Sequence, residues 1–502
     1  MTYPELLCKA VLSCVIFSCV PVSLWATGTD SAMKISISST LPAMEGAERA
    51  VLFNARSPGG EQETIFTVVV EKKPIPRKEF ILVEPPVVVW KSNGVWHESE
   101  VLDGKGYVDP FKRRISLKQK SDWGKEDRLS ATVHYYEVRE HPLPTNPDGS
   151  PADNGPCWLA SDTDTLVAVA PEVEIESITF NHVPGNSDND GIDLRTEYFG
   201  GDVVGPEWTP TGTQAVAYRA GVRPTVKVNF KLLPERLTRV KAGATEEGTS
   251  LTGGIAEAWG SYSGGEFSGA VAVSSMVDKG NVTWTWSVTG FNGVPVSGWN
   301  DFRRTEFPVY KILDKPQLPW REGAGTQKPW VTALDFVMDK LGSKKGCTNK
   351  EVLGRVTQCL WESPMWWYGY EPKDGWAASR FVFHIKDPLN KETQFLRIYY
   401  DDFINTEEKP EDPYDNSVNC VDTAGLVEVS VALLGVDAFV RRQTPWTEGG
   451  EFWDYHYFTV CNGLVYDACK ALASYVVFKK VEEYGNSTVN RDTTDFYGKE
   501  LY

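Results

Sequence analysis

Near the C-terminal end of the chain, Cys420, His456 and Asp467 follow one another in that order. A nucleophile, its base and a group that orients the base need those three residue types. Cys420 lies in NCVDTAGLVEVSVALLG, Asn419 to Gly435. Asn419 suits an N-cap and Gly435 a C′ terminator, so the spacing predicts a helix starting at or beside Cys420. Cys420, Ala424, Val427, Val431 and Leu434 then form one apolar, core-facing stripe with the thiol at its N-terminal end. A helix N-terminus carries about half a positive charge, which favours a thiolate. Asp422, in the first turn, works against it by adding negative charge near the sulfur. The competing reading is that Cys420 is a small buried hydrophobe, as most free cysteines are.

His456 and Asp467 fall in FWDYHYFTVCNGLVYDACKAL, Phe452 to Leu472. Asn462-Gly463 between two β-rich runs predicts a two-residue hairpin turn. Cys461 then faces Leu464, and His456 falls opposite Cys469, with Asp467 two residues away on the same face. A diagonal neighbour about 7–8 Å off is within side-chain reach. The hairpin can therefore set a carboxylate against one imidazole nitrogen and leave the other for a thiol. A loop one residue longer would turn Asp467 to the opposite face. Taken singly, His456 also reads as a core histidine among aromatic neighbours, and Asp467 as a strand-end turn former. The chain has only six histidines, and one of them falls in this context after a helix-capped cysteine.

Together, C-x-D-x-A at a helix start, H-x-F in a strand and G-x-x-Y-D-A in the next strand resemble the transglutaminase-like superfamily of papain-like cysteine enzymes. The resemblance extends over roughly residues 318–472. VYKILDKPQLPW (Val309 to Trp320) resembles the lead-in of bacterial members with β domains upstream, and SITFNHVPGNSDNDGIDLR (Ser177 to Arg195) resembles those upstream modules. The resemblance implies a Cys420, His456 and Asp467 triad, with no cofactor or metal, acting on a protein or peptide substrate. Cys420 would attack a carboxamide or peptide carbonyl, His456 would move the proton, and Asp467 would orient the ring. Hydrolysis and acyl transfer to a lysine amine both remain open. The chain departs from the family in a Cys-to-His spacing of only 36 positions and in Cys469 just after the aspartate. Such folds include inert members, so the rival is a cell-envelope binding or assembly protein whose C-terminal domain does no chemistry. A third reading is a carbohydrate-binding protein using its tryptophans. A Cys420 sealed in the core, or bridged to another cysteine, would remove the enzyme reading.

The elements that must position these residues come last in the chain. Residues 33–171 read as a β-sandwich, with strands at Thr64–Lys73, Pro85–Trp90 and Leu129–Arg139 separated by turn-rich stretches such as Pro142–Pro156. Residues 172–315 read as a second one, with strands at Thr225–Leu233, Gly269–Ser275 and Val282–Gly290 and a hairpin signal at Asn292-Gly293. Helical signals begin only after Trp320. Trp330, Leu334, Val337, Met338 and Leu341 share one helix face, and Thr348 with Glu351 forms a capping box ahead of Val352, Val356 and Cys359. The predicted fold is therefore multidomain: two all-β domains, then an α+β transglutaminase-like domain over 318–502.

Composition bounds the partners. With 51 basic and 68 acidic residues the net charge is −17, which argues against nucleic acid, since phosphate binding needs a basic footprint. A hydrophobic fraction of 41% excludes a disordered chain. Residues 1–26 read as a signal peptide, with the apolar run Ala10 to Val20 too short to span a bilayer and Ala26 at the cleavage point. Secretion or a periplasmic location follows, with no transmembrane span. Ile16-Phe17-Ser18-Cys19 loosely resembles a lipobox. Removing the leader leaves Cys157, Cys347, Cys359, Cys420, Cys461 and Cys469, enough for three bridges if none is a nucleophile. Asn186 to Glu197 has the spacing of an EF-hand calcium loop, but the strand-like flank and Asp193 favour a polar turn. Ser363 to Trp376 packs six aromatics into fourteen residues and reads as a loop anchored on the core. Oligomeric state is not legible.

Overall fold

The computed structural model describes residues 33–39, 43–44, 50–52, 61–72, 81–82, 87–92, 95–101, 111–118, 125–138, 147–148, 157–180, 191–248, 251–320, 328–342, 346–363, 367–368, 379, 381–386, 394–405, 417–444, 446–448, 451–453, 455–469, 474–484, 492–496 and 499–501. The leader, the lipobox-like stretch, Asn186 to Asp190 and most of Ser363 to Trp376 lie outside them. The chain divides into two compact units, Met1–Pro171 and Glu172–Tyr502.

The first unit is built from strands alone among its described residues. Met33–Ser39, Glu61–Lys72 and Phe111–Lys118 form one antiparallel sheet. Cys157–Ala170, Lys125–Val138, Val87–Ser92 and Val95–Val101 form the body of a second, with Ala50–Leu52 parallel at its edge. Each expected strand falls on one of these elements, except that Lys73, Pro85, Pro86 and Arg139 lie outside the described residues.

The second unit begins as two packed sheets. Glu172–Phe180 pairs with Thr225–Leu233 in one, and Asp278–Phe291 pairs with Arg239–Gly248 and Arg303–Ile312 in the other. Aromatic rings interleave between them: Phe180 stacks on Trp284 at 5.4 Å, and Phe267 meets Trp286 edge-on at 6.0 Å. Asn292 and Gly293 turn the expected hairpin with φ of 41° and 80°, the positive pair that a type I′ turn requires. Gly269–Ser275 departs from expectation. Its run of small and apolar residues reads as a strand, yet Gly269 makes an isolated bridge with Ile255 and a backbone bond to Pro224, and the rest is irregular. Ala270 and Val271 instead bond back to Gly254 and Thr252.

The same unit continues into helices and a third sheet. Helix α1 (Val331–Leu341) buries Leu334, Val337, Met338 and Leu341 on the predicted face. Helix α2 (Asn349–Glu362) starts with the predicted capping box: Thr348 Oγ1 accepts from Glu351 N at 3.2 Å, and Glu351 Oε2 accepts from Thr348 N at 3.2 Å. A short α3 (Tyr400–Ile404) and a longer α4 (Cys420–Leu433) follow. Strands β1 (Phe439–Thr444), β2 (His456–Cys461), β3 (Leu464–Asp467), β4 (Val476–Lys480) and β5 (Asp492–Phe496) form an antiparallel sheet in the order β4-β3-β2-β1-β5. One hydrophobic core runs from Ala217, Val277 and Tyr310 of the β region through α1, α2 and α4 to Tyr457 and Phe496. The regions read separately as 172–315 and 318–502 thus share one compact unit.

Helix α4 is more deeply placed than a single apolar stripe predicts. All fourteen of its residues are buried, Asp422, Thr423, Glu428 and Ser430 included. A helix apolar nearly all round belongs in a core rather than at a surface, and α4 is packed by α2, by Val382–Lys386 and by β1 and β2. Three of these polar side chains bond internally: Asp422 to the Phe381 and Val382 N–H groups, Thr423 to the Asn419 and Cys420 carbonyls, and Ser430 to the Tyr400 hydroxyl at 2.8 Å. The segment after the β region closes its C-terminal end. Leu313 N donates to Leu434 O at 3.0 Å, Gln317 N to Ala432 O at 2.8 Å, and Trp320 Nε1 to Val429 O at 2.9 Å. Gly435 ends the helix with φ of 89°, and any β-carbon there would collide with the Asp314 backbone.

Candidate active site

The N-terminus of α4 is held by its own sequence. Asn419 Oδ1 accepts from Val421 N and Asp422 N, both at 3.1 Å. Asp422 reaches back to Asn419 N at 3.1 Å and also accepts from Phe381 N at 2.8 Å and Val382 N at 2.7 Å. Three backbone donors thus offset the carboxylate expected to oppose a thiolate, and the same bonds clamp the neighbouring strand to the helix start. Cys420 is the first helical residue, a free thiol with 6% of its surface exposed. It is buried in the core and is in no disulfide. Cys347, Cys359, Cys461 and Cys469 are likewise in no disulfide, so the three bridges the count allows do not form among these five. Burial, and then the charge of Asp437, push the Cys461 thiol above its ordinary value, leaving it a protonated spectator.

The hairpin forms in the expected register. Cys461 pairs with Leu464, Val460 with Val465 and Thr459 with Tyr466, around Asn462 and Gly463 with φ of 50° and 73°. His456, the first residue of β2, and Asp467, the last of β3, consequently meet: Nε2 lies 2.5 Å from Asp467 Oδ2. Both are buried, at 0% and 1% exposed. Asp467 is fully engaged, since its Oδ1 accepts from Cys469 N at 2.8 Å and its Oδ2 also accepts from the Tyr484 hydroxyl at 2.5 Å. Cys469 adds a second thiol close by. One donor atom from each of His456, Asp467 and Cys469 lies within 4.8 Å of the other two.

Cys420 acts on the same imidazole. Burial alone would lower the His456 pKa. The charge of Asp467 and its hydrogen bond outweigh that, and the hydrogen bond and charge of Cys420 add to them, so the ring is pushed up to about 10. Such surroundings favour the protonated form of the imidazole.

Three neighbours gave no signal in the sequence. Tyr484 is fully buried and follows a short 3-10 turn, Val481–Glu483, on the far side of β4. Gln443, 1% exposed, is the cross-strand partner of His456 on the side away from Asp467. Arg442 pairs in the same way with Tyr457. Gln443 and Arg442 depend on strand pairings, and Tyr484 on a turn, that no local motif announces.

Elsewhere, the described half of the EF-hand-like stretch runs extended. Ile192 N donates to Ala217 O and Arg195 N to Pro329 O, at 2.9 and 2.8 Å, which agrees with a connection between strands. Among the described residues, no helix is long and apolar enough to cross a membrane. No protein-family model and no curated protein matches the chain. Geometry therefore carries the functional assignment alone.

Proposed function

We propose that the chain is an exported, transglutaminase-like cysteine enzyme acting on amide or peptide bonds through Cys420, His456 and Asp467. The observation that carries this reading is a buried imidazole–carboxylate pair at 2.5 Å whose imidazole is also raised by the cysteine at a helix N-terminus. Cys420 attacks the carbonyl carbon as thiolate, and the tetrahedral oxyanion collapses with expulsion of the amine. His456 protonates that leaving amine, and Asp467 keeps the ring oriented and stabilises its cationic form. The Cys420 N–H would donate to the oxyanion, since those of Val421 and Asp422 are taken by the Asn419 cap. The thioester is then cleared by water, giving hydrolysis, or by an amine, giving transfer. Tyr484 and the Cys469 N–H hold Asp467 in place. The signal-peptide reading of residues 1–26 supports a location in the cell envelope or outside it.

The rival, an inert fold in an envelope assembly protein, draws support from the burial of the site, since His456 is wholly covered and Cys420 nearly so. Incubation of the full chain with a mixed peptide substrate and a labelled primary amine separates the two. An enzyme gives an acyl adduct on Cys420, detectable by mass spectrometry, that is lost in Cys420→Ser and reduced about a hundredfold or more in Asp467→Asn. No adduct and no product under any of these conditions would favour the inert fold.

A further inference from the structure

We propose that Arg442 sets the substrate preference of this site, receiving a carboxylate carried on the acyl donor next to the reacting carbonyl. The inference rests on the cysteine-enzyme reading above.

Its position follows from how α4 lies on the sheet. Thr459 Oγ1 donates to Ala424 O at 2.9 Å, fixing β2 to the helix. From that anchor Cys420 lies four residues toward the helix start, about 6 Å at the rise of an α-helix. Tyr457 lies two residues toward the strand start, about 6.6 Å at the rise of a strand. The two steps run the same way, because Cys420 also acts electrostatically on His456, one residue further along the strand. Tyr457 and Cys420 share one core cluster accordingly. Burial raises the Tyr457 pKa to about 12, while the charge of Arg442 lowers it and that of Cys420 raises it, so cation and sulfur flank the same phenol.

Arg442 is the direct cross-strand partner of Tyr457, which puts both side chains on one face with β-carbons about 5 Å apart. Its guanidinium lies over the Tyr455 ring at 4.9 Å, and that ring meets Tyr457 edge-on at 5.7 Å. The neighbouring arginine makes the contrast. Arg441 forms a two-pronged ion pair with Asp495 at 2.6 and 2.8 Å. Among the described residues Arg442 has no carboxylate in ion-pair contact, and its buried Nε has no hydrogen-bond partner. A half-buried guanidinium held on an aromatic shelf without a counter-ion is incompletely satisfied, and a planar fork of this kind is matched to a carboxylate. An acidic group beside the scissile carbonyl completes it.

Two alkylating probes that differ mainly in charge test this in the full chain: iodoacetate and iodoacetamide, with labelling at Cys420 followed by peptide mass spectrometry at low ionic strength. In the unmodified chain the iodoacetate-to-iodoacetamide rate ratio at Cys420 should exceed that at the exposed Cys347 and shrink as salt is added. Arg442→Gln should lower the Cys420 ratio roughly three- to tenfold, and Arg442→Lys should retain most of it. An unchanged ratio in Arg442→Gln overturns the inference. Should that variant fail to fold, equal ratios at Cys420 and Cys347 in the unmodified chain overturn it as well. Labelling of Cys420 that persists with an unchanged ratio sinks this inference alone. Absence of labelling by either reagent sinks the cysteine-enzyme reading and this inference with it.

Discussion

At the scale of single residues, the chemistry turns on how His456 is surrounded. Desolvation disfavours its cation, yet Asp467 on one side and Cys420 on the other more than offset that and raise its pKa to about 10. A histidine whose folded pKa lies above its unfolded value contributes stability that is complete below the unfolded pKa and is lost as pH rises through the folded one. Stability from this group is therefore full below about pH 6.5, declines between there and about pH 10, and is gone above. Urea unfolding midpoints at about pH 6, 8 and 10 for the unmodified chain and for His456→Gln should show a steeper decline in the former. Parallel curves would mean that the ring is neutral in the folded protein.

At the scale of elements, the site depends on register. Asn462-Gly463 was sufficient to place Cys461 opposite Leu464, and from there to bring His456 and Asp467 to one face, because a type I′ turn leaves little freedom. Asn419, Gly435, Thr348 and Glu351 were legible for the same reason: capping is local chemistry. Gly269–Ser275 misled because its alternation of small and apolar residues matches a strand, while backbone bonds to Thr252 and Gly254 claim it for a turn. The depth of α4 was not legible either. Its apolar stripe is real, but Glu428 and Ser430 are buried as well, Ser430 against the Tyr400 hydroxyl. One residue inserted between Asn462 and Gly463 should turn Asp467 to the opposite face, leaving His456 without its carboxylate. Such a variant should lose nearly all of the enhanced thiol reactivity while keeping most of its far-ultraviolet circular dichroism. Retained reactivity would mean that another residue orients the ring.

At the scale of the molecule, the division between Pro171 and Glu172 is where the chain separates into compact units, and every group of the candidate site lies in the second. Trp320, Gln317 and Leu313 tie the preceding β region to the C-terminal end of α4, so a cut near residue 318 would strip that helix of its cap. A fragment of residues 172–502 should unfold in one cooperative urea transition and label at Cys420 as the full chain does, whereas residues 318–502 alone should give no such transition. Cooperative unfolding of the shorter fragment would contradict the shared core. The pairing of thiol and imidazole is tested most directly by the rate of iodoacetamide labelling at Cys420 in the full chain and in His456→Ala. The rate should fall by about tenfold or more when the imidazole is removed; equal rates would contradict an activated Cys420.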